Sequence, residues 1–305
     1  MTEADLGVEI AGVKLKNPVI AASGTFGYGE EYAGLFDINS LGGLVVKGIS
    51  LKPRQGNPPP RIVETPCGML NSIGLANIGL DAFVKEKLPY LSGLSTEVIV
   101  NIYGHSIKEY AEMAGALRGL SGITFIEVNI SCPNVECGGM AFGTDPDMSA
   151  RVTDAVVSRA DLPVIVKLSP NVTDIRAVAR AVEKAGASAV SLINTLTGMA
   201  VDLGRRSPVL GNVIGGLSGP AIKPVALYMV YQTAKSIGIP VIGMGGIVNY
   251  RDALEFIIAG ASAVQIGTAN FINPRAAVEV IEGIRQYCET NAIARISDLI
   301  GSIRA

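Results

Sequence analysis

The stretch Ile123-Thr-Phe-Ile-Glu-Val128, followed by Asn129-Ile-Ser-Cys132-Pro-Asn134-Val-Glu-Cys-Gly138-Gly139, is typical of a buried strand that ends in a reactive loop. The apolar run ends at Asn129, and a Cys-Pro turn and paired glycines follow it. Reactive cysteines usually lie in partly exposed loops, whereas buried cysteines are usually inert packing residues. Cys132 is therefore a candidate reactive residue, although a single loop cysteine more often has no chemical role.

Short aliphatic runs of this kind alternate with amphipathic helical patterns along all 305 residues. The runs cover residues 18–22, 43–46, 97–100, 124–128, 163–166, 189–193, 240–242 and 263–266. The helical patterns include residues 107–120, 148–160, 173–185, 221–237, 250–259 and 275–289. Eight strands that alternate with helices predict an α/β fold, a parallel sheet closed into a (β/α)8 TIM barrel. No polar linker divides the chain, so we expect one domain over residues 1–305.

The composition narrows the class of protein. Hydrophobic residues make up 49% of the chain but aromatic residues only 5%, which predicts an aliphatic core suited to parallel strands. A net charge of −2 favours neither nucleic acid nor an anionic membrane as a partner. The four cysteines form no Cys-x-x-Cys pair, so we expect no disulfide framework, no metal site and a cytoplasmic protein. We expect no signal peptide and no transmembrane helix.

Two intervals, residues 49–77 and 194–223, are too long for simple crossovers and are rich in proline, glycine and polar residues. Both follow strand ends, on the face where (β/α)8 barrels place their functional sites. Long loops there are usually functional, so we expect loop insertions at the C-terminal face of the barrel.

A polar or glycine residue follows each apolar run. A single polar side chain at the end of a strand is usually only exposed to solvent. In a closed barrel, however, all eight strand ends meet at one face, which would place two lysines and three asparagines around one pocket. The residues are Ser23, Lys47, Asn101, Asn129, Lys167, Asn194, the pair Gly245 and Gly246, and Gly267 with Thr268.

The glycines after the last two strands, with Gly219 before a predicted helix, are typical of a phosphate site. Strands seven and eight of such barrels often bind phosphate, and glycine lets backbone N–H groups approach an anion closely. The sequence therefore predicts a phosphorylated ligand.

Several motifs, in the same order along nearly the whole chain, resemble class 1 dihydroorotate dehydrogenases. They are Asn129-Ile-Ser-Cys132-Pro-Asn134, Asn71-Ser-Ile-Gly-Leu75-Ala-Asn77, Lys167-Leu-Ser-Pro-Asn171, Asn194-Thr195, Gly216-Leu-Ser-Gly219-Pro, Gly245-Gly246 and Ile266-Gly-Thr268-Ala-Asn270. The resemblance implies a TIM barrel that oxidises (S)-dihydroorotate to orotate with FMN, in pyrimidine biosynthesis.

The stretch Val-Glu-Cys-Gly-Gly-Met-Ala-Phe-Gly-Thr, residues 135–144, is similar to the NAD-linked type B branch of this family. That resemblance implies a partner subunit that carries FAD and a 2Fe-2S cluster and passes electrons to NAD. It also implies a homodimer of this chain within a heterotetramer. A fumarate-linked homodimer, and a related flavoenzyme for another dihydropyrimidine, remain alternatives.

The resemblance also implies roles for individual residues. Cys132 would be the base that removes the C5 proton, and a nucleophilic role ranks lower because no activating base is adjacent in sequence. Lys167 would stabilise the reduced flavin, and Gly138 and Gly139 would let the Cys132 loop close. The implied cofactor-binding residues are Ser23, Lys47, Gly48, Asn101, Asn129, Lys167, Ile193, Gly219, Gly245, Gly246, Gly267 and Thr268. The implied substrate-binding residues are Lys47, Asn71, Ser72, Ile73, Gly74, Leu75, Asn129, Asn194 and Thr195.

Two readings of another class compete with this one. A lysine-dependent aldolase or a phosphosugar isomerase could use the same barrel, with Lys167 forming a Schiff base and no flavin. A flavin-binding electron-transfer subunit with a vestigial substrate site is the non-enzymatic alternative. Intact Cys132 and the set of asparagines argue against it.

Overall fold

The structure, a computed structural model, describes residues 4–130 and 139–304. Two residues singled out in the sequence, Cys132 and Gly138, lie outside the described residues. The implied roles of this cysteine and this glycine therefore stay predictions.

The strands are short and are spread along the whole chain. In chain order they are β1 (Val8–Ile10), β2 (Val13–Leu15), β3 (Val19–Ala21), β4 (Gly43–Val45), β5 (Ile62–Thr65), β6 (Gly68–Asn71), β7 (Glu97–Ile102), β8 (Phe125–Asn129), β9 (Val164–Lys167), β10 (Ala189–Leu192), β11 (Leu196–Met199), β12 (Val201–Asp202), β13 (Ser207–Pro208), β14 (Ile214–Ser218), β15 (Val241–Met244) and β16 (Ala263–Ile266).

Eight of these strands form a closed parallel barrel, in the order β3, β4, β7, β8, β9, β10, β15 and β16, and β16 pairs back onto β3. They coincide with the eight aliphatic runs, so the predicted (β/α)8 TIM barrel is confirmed. Every residue of β3, β4, β9, β10, β15 and β16 is buried, with no alternation of exposed and buried positions. This pattern is expected for parallel strands that are covered on both faces.

Helices follow the barrel strands and cover them. They are α1 (Leu80–Ala82), α2 (Leu88–Leu91), α3 (Ile107–Leu117), α4 (Gly139–Thr144), α5 (Pro146–Val157), α6 (Ile175–Lys184), α7 (Lys223–Ala234), α8 (Tyr250–Ile258), α9 (Ala269–Ile272) and α10 (Ala276–Thr290), and a π-helical turn, Phe83–Lys87, joins α1 to α2. Short 3-10 helices occur at Glu30–Tyr32, Ile38–Ser40, Pro220–Ile222 and Ile296–Leu299.

Polar side chains fix where the longer helices begin. Ser106, Asp145 and Asp174 each accept a hydrogen bond from a backbone N–H in the first turn of α3, α5 and α6. Asn249 and Asp252 form a reciprocal capping box at α8. Such caps satisfy N–H groups that have no partner within the helix. All six predicted helices are present, with ends shifted by at most three residues.

The two long insertions pair with each other and form a four-stranded antiparallel sheet, in the order β11-β14-β6-β5. Asn71 of β6 lies opposite Gly216 of β14, which brings the first insertion onto the second. The insertions were predicted only as loops, and their strands are a finding of the structure. Within the described ranges, no helix has the length and apolar character needed to cross a membrane.

Candidate active site

A pocket lies at the C-terminal ends of the barrel strands, and all eight strands contribute to it. Residues of the insertion sheet, among them Ile62, Met69 and Ser218, also line it. The lining residues at the strand ends are Ala22 and Ser23 after β3, Lys47 and Gly48 after β4, Asn101 in β7, Asn129 in β8, Lys167 in β9, Ile193 and Asn194 after β10, Met244 and Gly245 at β15, and Gln265 and Gly267 at β16.

The structure brings nearly all the predicted site residues to this one pocket. All twelve predicted cofactor-binding residues line it, and so do the predicted substrate-binding residues except Ser72. Ser72 is fully buried, and its backbone N–H donates to the Arg61 carbonyl at 2.7 Å. Its carbonyl accepts from the Asn57 side chain at 3.1 Å, so Ser72 holds the loop behind the pocket wall.

Two lysines supply positive charge to the pocket. Lys167 is the last residue of β9 and is only 6% exposed. Its Nζ lies 4.0 Å from Oε1 of the fully buried Glu127. Lys47 follows β4 and is half-buried at the wall, where its backbone N–H donates to the Gly27 carbonyl at 2.8 Å. A cation in a partly dry pocket interacts with an anionic ligand more strongly than a cation in water.

Amide side chains form the next part of the wall. Asn194 donates to Oδ1 of Asn129 at 3.5 Å and accepts from the Thr195 backbone N–H at 2.9 Å. The Tyr110 hydroxyl donates to the Asn129 carbonyl at 2.9 Å and so fixes the end of β8. Asn171 donates to the Thr195 carbonyl at 3.1 Å. Carboxamides offer both donors and acceptors, which suits a ligand that is itself rich in amides.

The loop after β6 brings backbone into the pocket at Gly74 and Leu75. Both have left-handed backbone, with φ of 71° and 59°, which a leucine seldom adopts. The Leu75 carbonyl accepts from Nδ2 of Asn77 at 2.9 Å and from the Tyr103 hydroxyl at 3.1 Å. These contacts hold the strained turn in place.

Tyr103 and His105 lie outside the pocket lining. The Tyr103 hydroxyl oxygen also accepts a hydrogen bond from Nδ2 of Asn77 at 2.8 Å and one from the Ser50 hydroxyl at 3.0 Å. Tyr103 therefore supports the loop of Gly74 and Leu75 from behind. His105 is exposed, and its Nε2 lies 3.0 Å from Nη1 of Arg54.

Another part of the pocket wall is built from glycines with left-handed backbone. Gly219, Gly245 and Gly246 have φ of 95°, 125° and 76°. A Cβ on Gly246 would lie 2.8 Å from the Gly219 carbonyl oxygen and 2.9 Å from the backbone nitrogen of Lys223, the first residue of α7. The main chain here is packed too closely for any side chain, which leaves backbone groups to meet a ligand.

Lys223 itself is already engaged. Its Nζ lies 2.6 Å from Asp252 and 2.9 Å from Glu255 in α8. Partial burial acts to lower the pKa of Lys223, but the hydrogen bonds to the two carboxylates outweigh it and raise that pKa above its ordinary value. The lysine thereby ties the start of α7 to α8 behind the glycines.

Sequence reasoning missed two polar residues in the barrel interior, Glu127 and Gln265. Glu127 is fully buried within β8, and Gln265 of β16 is 1% exposed and lines the pocket. Both interrupt an aliphatic run, and this was the available signal, because a charged residue in a buried strand needs partners.

The described residues contain no cluster of three or more His, Cys, Asp or Glu side chains that could hold a metal ion. The polar groups of the pocket are instead lysines, amides, hydroxyls and backbone. This set suits an organic ligand with anionic and amide groups.

Comparison with known proteins agrees with the pocket chemistry. Residues 5–287 match the family model described as dihydroorotate dehydrogenase. The chain is 58% identical to a protein of Citrifermentans bemidjiense over 303 residues, 99% of each chain. It is 57% identical to one of Thermoanaerobacter sp. strain X514 over 300 residues, 98% of this chain and 99% of that one. It is 55% identical to one of Geotalea daltonii over 304 residues, 100% of each.

All three relatives carry the same name, dihydroorotate dehydrogenase B (NAD(+)), catalytic subunit. The similarity extends over almost the full length of each chain and includes every strand of the barrel. The chain belongs to the dihydroorotate dehydrogenase family.

Proposed function

We propose that this chain is the catalytic subunit of an NAD-linked dihydroorotate dehydrogenase, which oxidises (S)-dihydroorotate to orotate in UMP biosynthesis. The observation that carries the proposal is the pocket that gathers Lys47, Asn71, Asn129, Lys167 and Asn194 at one mouth of the barrel. Membership of the family and the names of its relatives support the same reaction.

FMN is the proposed cofactor, and the residues present fit it. The closely packed glycines at Gly219, Gly245 and Gly246 suit a phosphate, since the backbone can approach it without a side chain in between. Lys167 places a positive charge beside the pocket, where it favours a flavin that gains negative charge on reduction. FMN, when bound, supplies the acceptor for the hydride that leaves C6 of the substrate.

The substrate is proposed to lie against the amide wall. The side chains of Asn71, Asn129 and Asn194 can donate to and accept from the ring amides of dihydroorotate. Lys47 is proposed to pair with its carboxylate. The backbone of Gly74 and Leu75, held from behind by Tyr103, closes the same side of the pocket.

Cys132 is proposed to take the C5 proton as its thiolate. It lies outside the described residues, and the support comes from its place in the chain. Asn129 at the end of β8 lines the pocket, and Cys132 follows by three residues, a length of chain that spans at most about 11 Å. A free thiol has a pKa of about 8.5, so a modest lowering of that pKa makes it a useful base at neutral pH.

A partner subunit that carries FAD and a 2Fe-2S cluster is proposed to pass the electrons to NAD. The relatives are named as catalytic subunits, which supports the existence of such a partner. We further propose a homodimer within a heterotetramer, in the cytoplasm. The insertion region exposes Met199, Val201, Leu203 and Val213, apolar side chains that are typical of a surface covered by another chain.

An assay of the FMN-loaded chain tests the proposal. Orotate formation from dihydroorotate is followed with an artificial electron acceptor, so that no partner subunit is needed. We expect turnover by the unmodified chain and a loss of about a hundredfold or more in Cys132→Ser, because a positioned base contributes on this scale. FMN content should be equal in both proteins. Absence of orotate formation by the FMN-loaded, unmodified chain would contradict the proposal.

A further inference from the structure

A buried carboxylate lies beneath the pocket and joins four barrel strands. Glu127 of β8 is fully buried. Its Oε1 accepts from Nδ2 of Asn101 at 2.7 Å. Its Oε2 accepts from the Ser191 hydroxyl at 2.8 Å and from Nε2 of Gln265 at 2.9 Å. The ammonium of Lys167 lies 4.0 Å away. The carboxylate thus has three hydrogen-bond donors and a nearby cation.

The carboxylate decides which way two pocket amides point. A carboxylate only accepts hydrogen bonds, so Asn101 and Gln265 must each turn their NH2 group toward Glu127. Their carbonyl oxygens are thereby directed elsewhere. Both oxygens are buried and have no hydrogen-bond partner in the part of the chain that the structure describes. Buried acceptors without a donor are costly, so a donor from a ligand is expected there.

Two further observations connect these oxygens to the pocket. Asn101 and Gln265 both line it. A Cβ on the lining residue Gly48 would lie 2.6 Å from Oδ1 of Asn101, so the glycine leaves room beside that oxygen. The Asn101 oxygen is therefore next to pocket-lining backbone.

We propose that Glu127 is a positioning residue that sets the hydrogen-bond polarity of the pocket floor. It holds Asn101 and Gln265 so that both present carbonyl oxygens to the flavin ring, which offers N3–H as a donor when oxidised and N5–H as well when reduced, and it partly balances the charge of Lys167. Gln265 is thereby assigned as a further residue that contacts the cofactor. The inference rests on the proposed function only in taking FMN as the ligand.

The variant Glu127→Gln tests the polarity directly, because it keeps the size of the side chain and replaces an accepting oxygen with a donating NH2. The side-chain amide of Asn101 or Gln265 can then form a hydrogen bond by turning its carbonyl oxygen toward the new NH2 group at position 127. The pocket thereby loses one hydrogen-bond acceptor. Ser191→Ala is the matched control. It removes one donor to the same carboxylate but leaves its charge and both amides, and Ser191 is not a lining residue.

The first readout is the affinity of the apoprotein for FMN, measured by quenching of flavin fluorescence. We expect Kd to rise roughly tenfold or more in Glu127→Gln, the scale of one lost hydrogen bond in a buried site. Ser191→Ala should stay within about threefold of the unmodified protein, since it removes no ligand contact. Thermal unfolding of each apoprotein checks that the variants are folded.

The second readout is the midpoint potential of the bound flavin. Removal of a negative charge 4.0 Å from the Lys167 ammonium makes the floor more positive, which favours the more negative, reduced flavin. We expect a more positive potential in Glu127→Gln and an unchanged one in Ser191→Ala. A residue that acted only in packing would weaken folding without moving the potential in this direction.

The outcomes separate the two proposals. If the unmodified chain binds FMN, and Glu127→Gln binds it equally well with an unchanged potential, the role of Glu127 is wrong and the proposed function stands. If the unmodified chain fails to bind FMN, the proposed function fails first. Should Glu127→Gln not fold, Gln265→Met removes the second acceptor at similar size, and an unchanged Kd in that variant overturns the inference.

Discussion

Replacement of Gly246 with alanine should separate FMN binding from folding. The new Cβ would lie 2.8 Å from the Gly219 carbonyl oxygen, 2.8 Å from Cβ of Lys223 and 2.9 Å from its backbone nitrogen. Two of these three atoms belong to main chain, which cannot rotate away as the end of a long side chain can. The alanine would therefore push apart the glycines proposed to hold the phosphate.

The expected magnitude has two parts. Gly246 has φ of 76°, so alanine pays about 1–2 kcal/mol for left-handed backbone. Displacement of tightly packed neighbours adds about 1–3 kcal/mol. Gly12 provides the control, because it has φ of 82° and a Cβ there would meet nothing within 4 Å. Gly12→Ala should show the first cost without the second.

The assay combines urea unfolding of the apoproteins with FMN titration. We expect the free energy of unfolding to fall in both variants, and to fall further in Gly246→Ala than in Gly12→Ala. Only Gly246→Ala should bind FMN at least about tenfold more weakly, which is a loss of about 1.4 kcal/mol of binding free energy. If Gly246→Ala loses the additional stability yet binds FMN as tightly as Gly12→Ala, the phosphate does not lie at these glycines.

Two further predictions concern residues outside the pocket lining. Tyr103→Phe removes the hydroxyl that donates to the Leu75 carbonyl, so KM for dihydroorotate should rise about two- to tenfold, the scale of one hydrogen bond. His105→Ala should leave it unchanged, and an equal KM in both variants would contradict the role of Tyr103. Burial raises the pKa of the Cys288 thiol, which leaves less thiolate at pH 8, whereas Cys67 is exposed. Alkylation of the native chain, mapped by mass spectrometry, should therefore modify Cys67 well before Cys288, and equal rates would contradict the burial.

The sequence predicted the barrel because its strands are aliphatic throughout. Parallel strands covered on both faces need continuous apolar runs, and each of the eight runs became a barrel strand. The polar residue after each run was also informative, since the carboxyl ends of all strands in such a barrel meet at one face. Lys47 and Lys167, 120 positions apart in the chain, could be placed at one pocket for this reason.

The insertion sheet could not be predicted in the same way. Its strands pair across long separations, as Asn71 does with Gly216, and they contain glycine and polar residues in place of a regular alternation. Strand propensity depends strongly on the neighbours a strand finds, and these neighbours come from the tertiary fold. The sequence therefore indicated insertions at the correct face but not their strands.

Side-chain direction limited the prediction of individual site residues. Ser72 lies between the pocket-lining Asn71 and Ile73, but it is buried away from the pocket. Successive side chains at the end of a strand point to opposite faces, which explains the difference. Glu127 was overlooked for a different reason. Its hydrogen-bond partners lie on other strands and become its neighbours only when the barrel closes.

The visible absorption spectrum of the purified chain loaded with FMN, before and after anaerobic addition of dihydroorotate, shows whether the bound flavin accepts a hydride from this substrate. We expect the flavin spectrum to bleach when the substrate is added, without the partner subunit. A bound flavin that stays oxidised would contradict dihydroorotate as the substrate. A folded chain that binds no FMN would contradict a flavin-dependent reaction and would favour the alternative in which Lys167 forms a Schiff base.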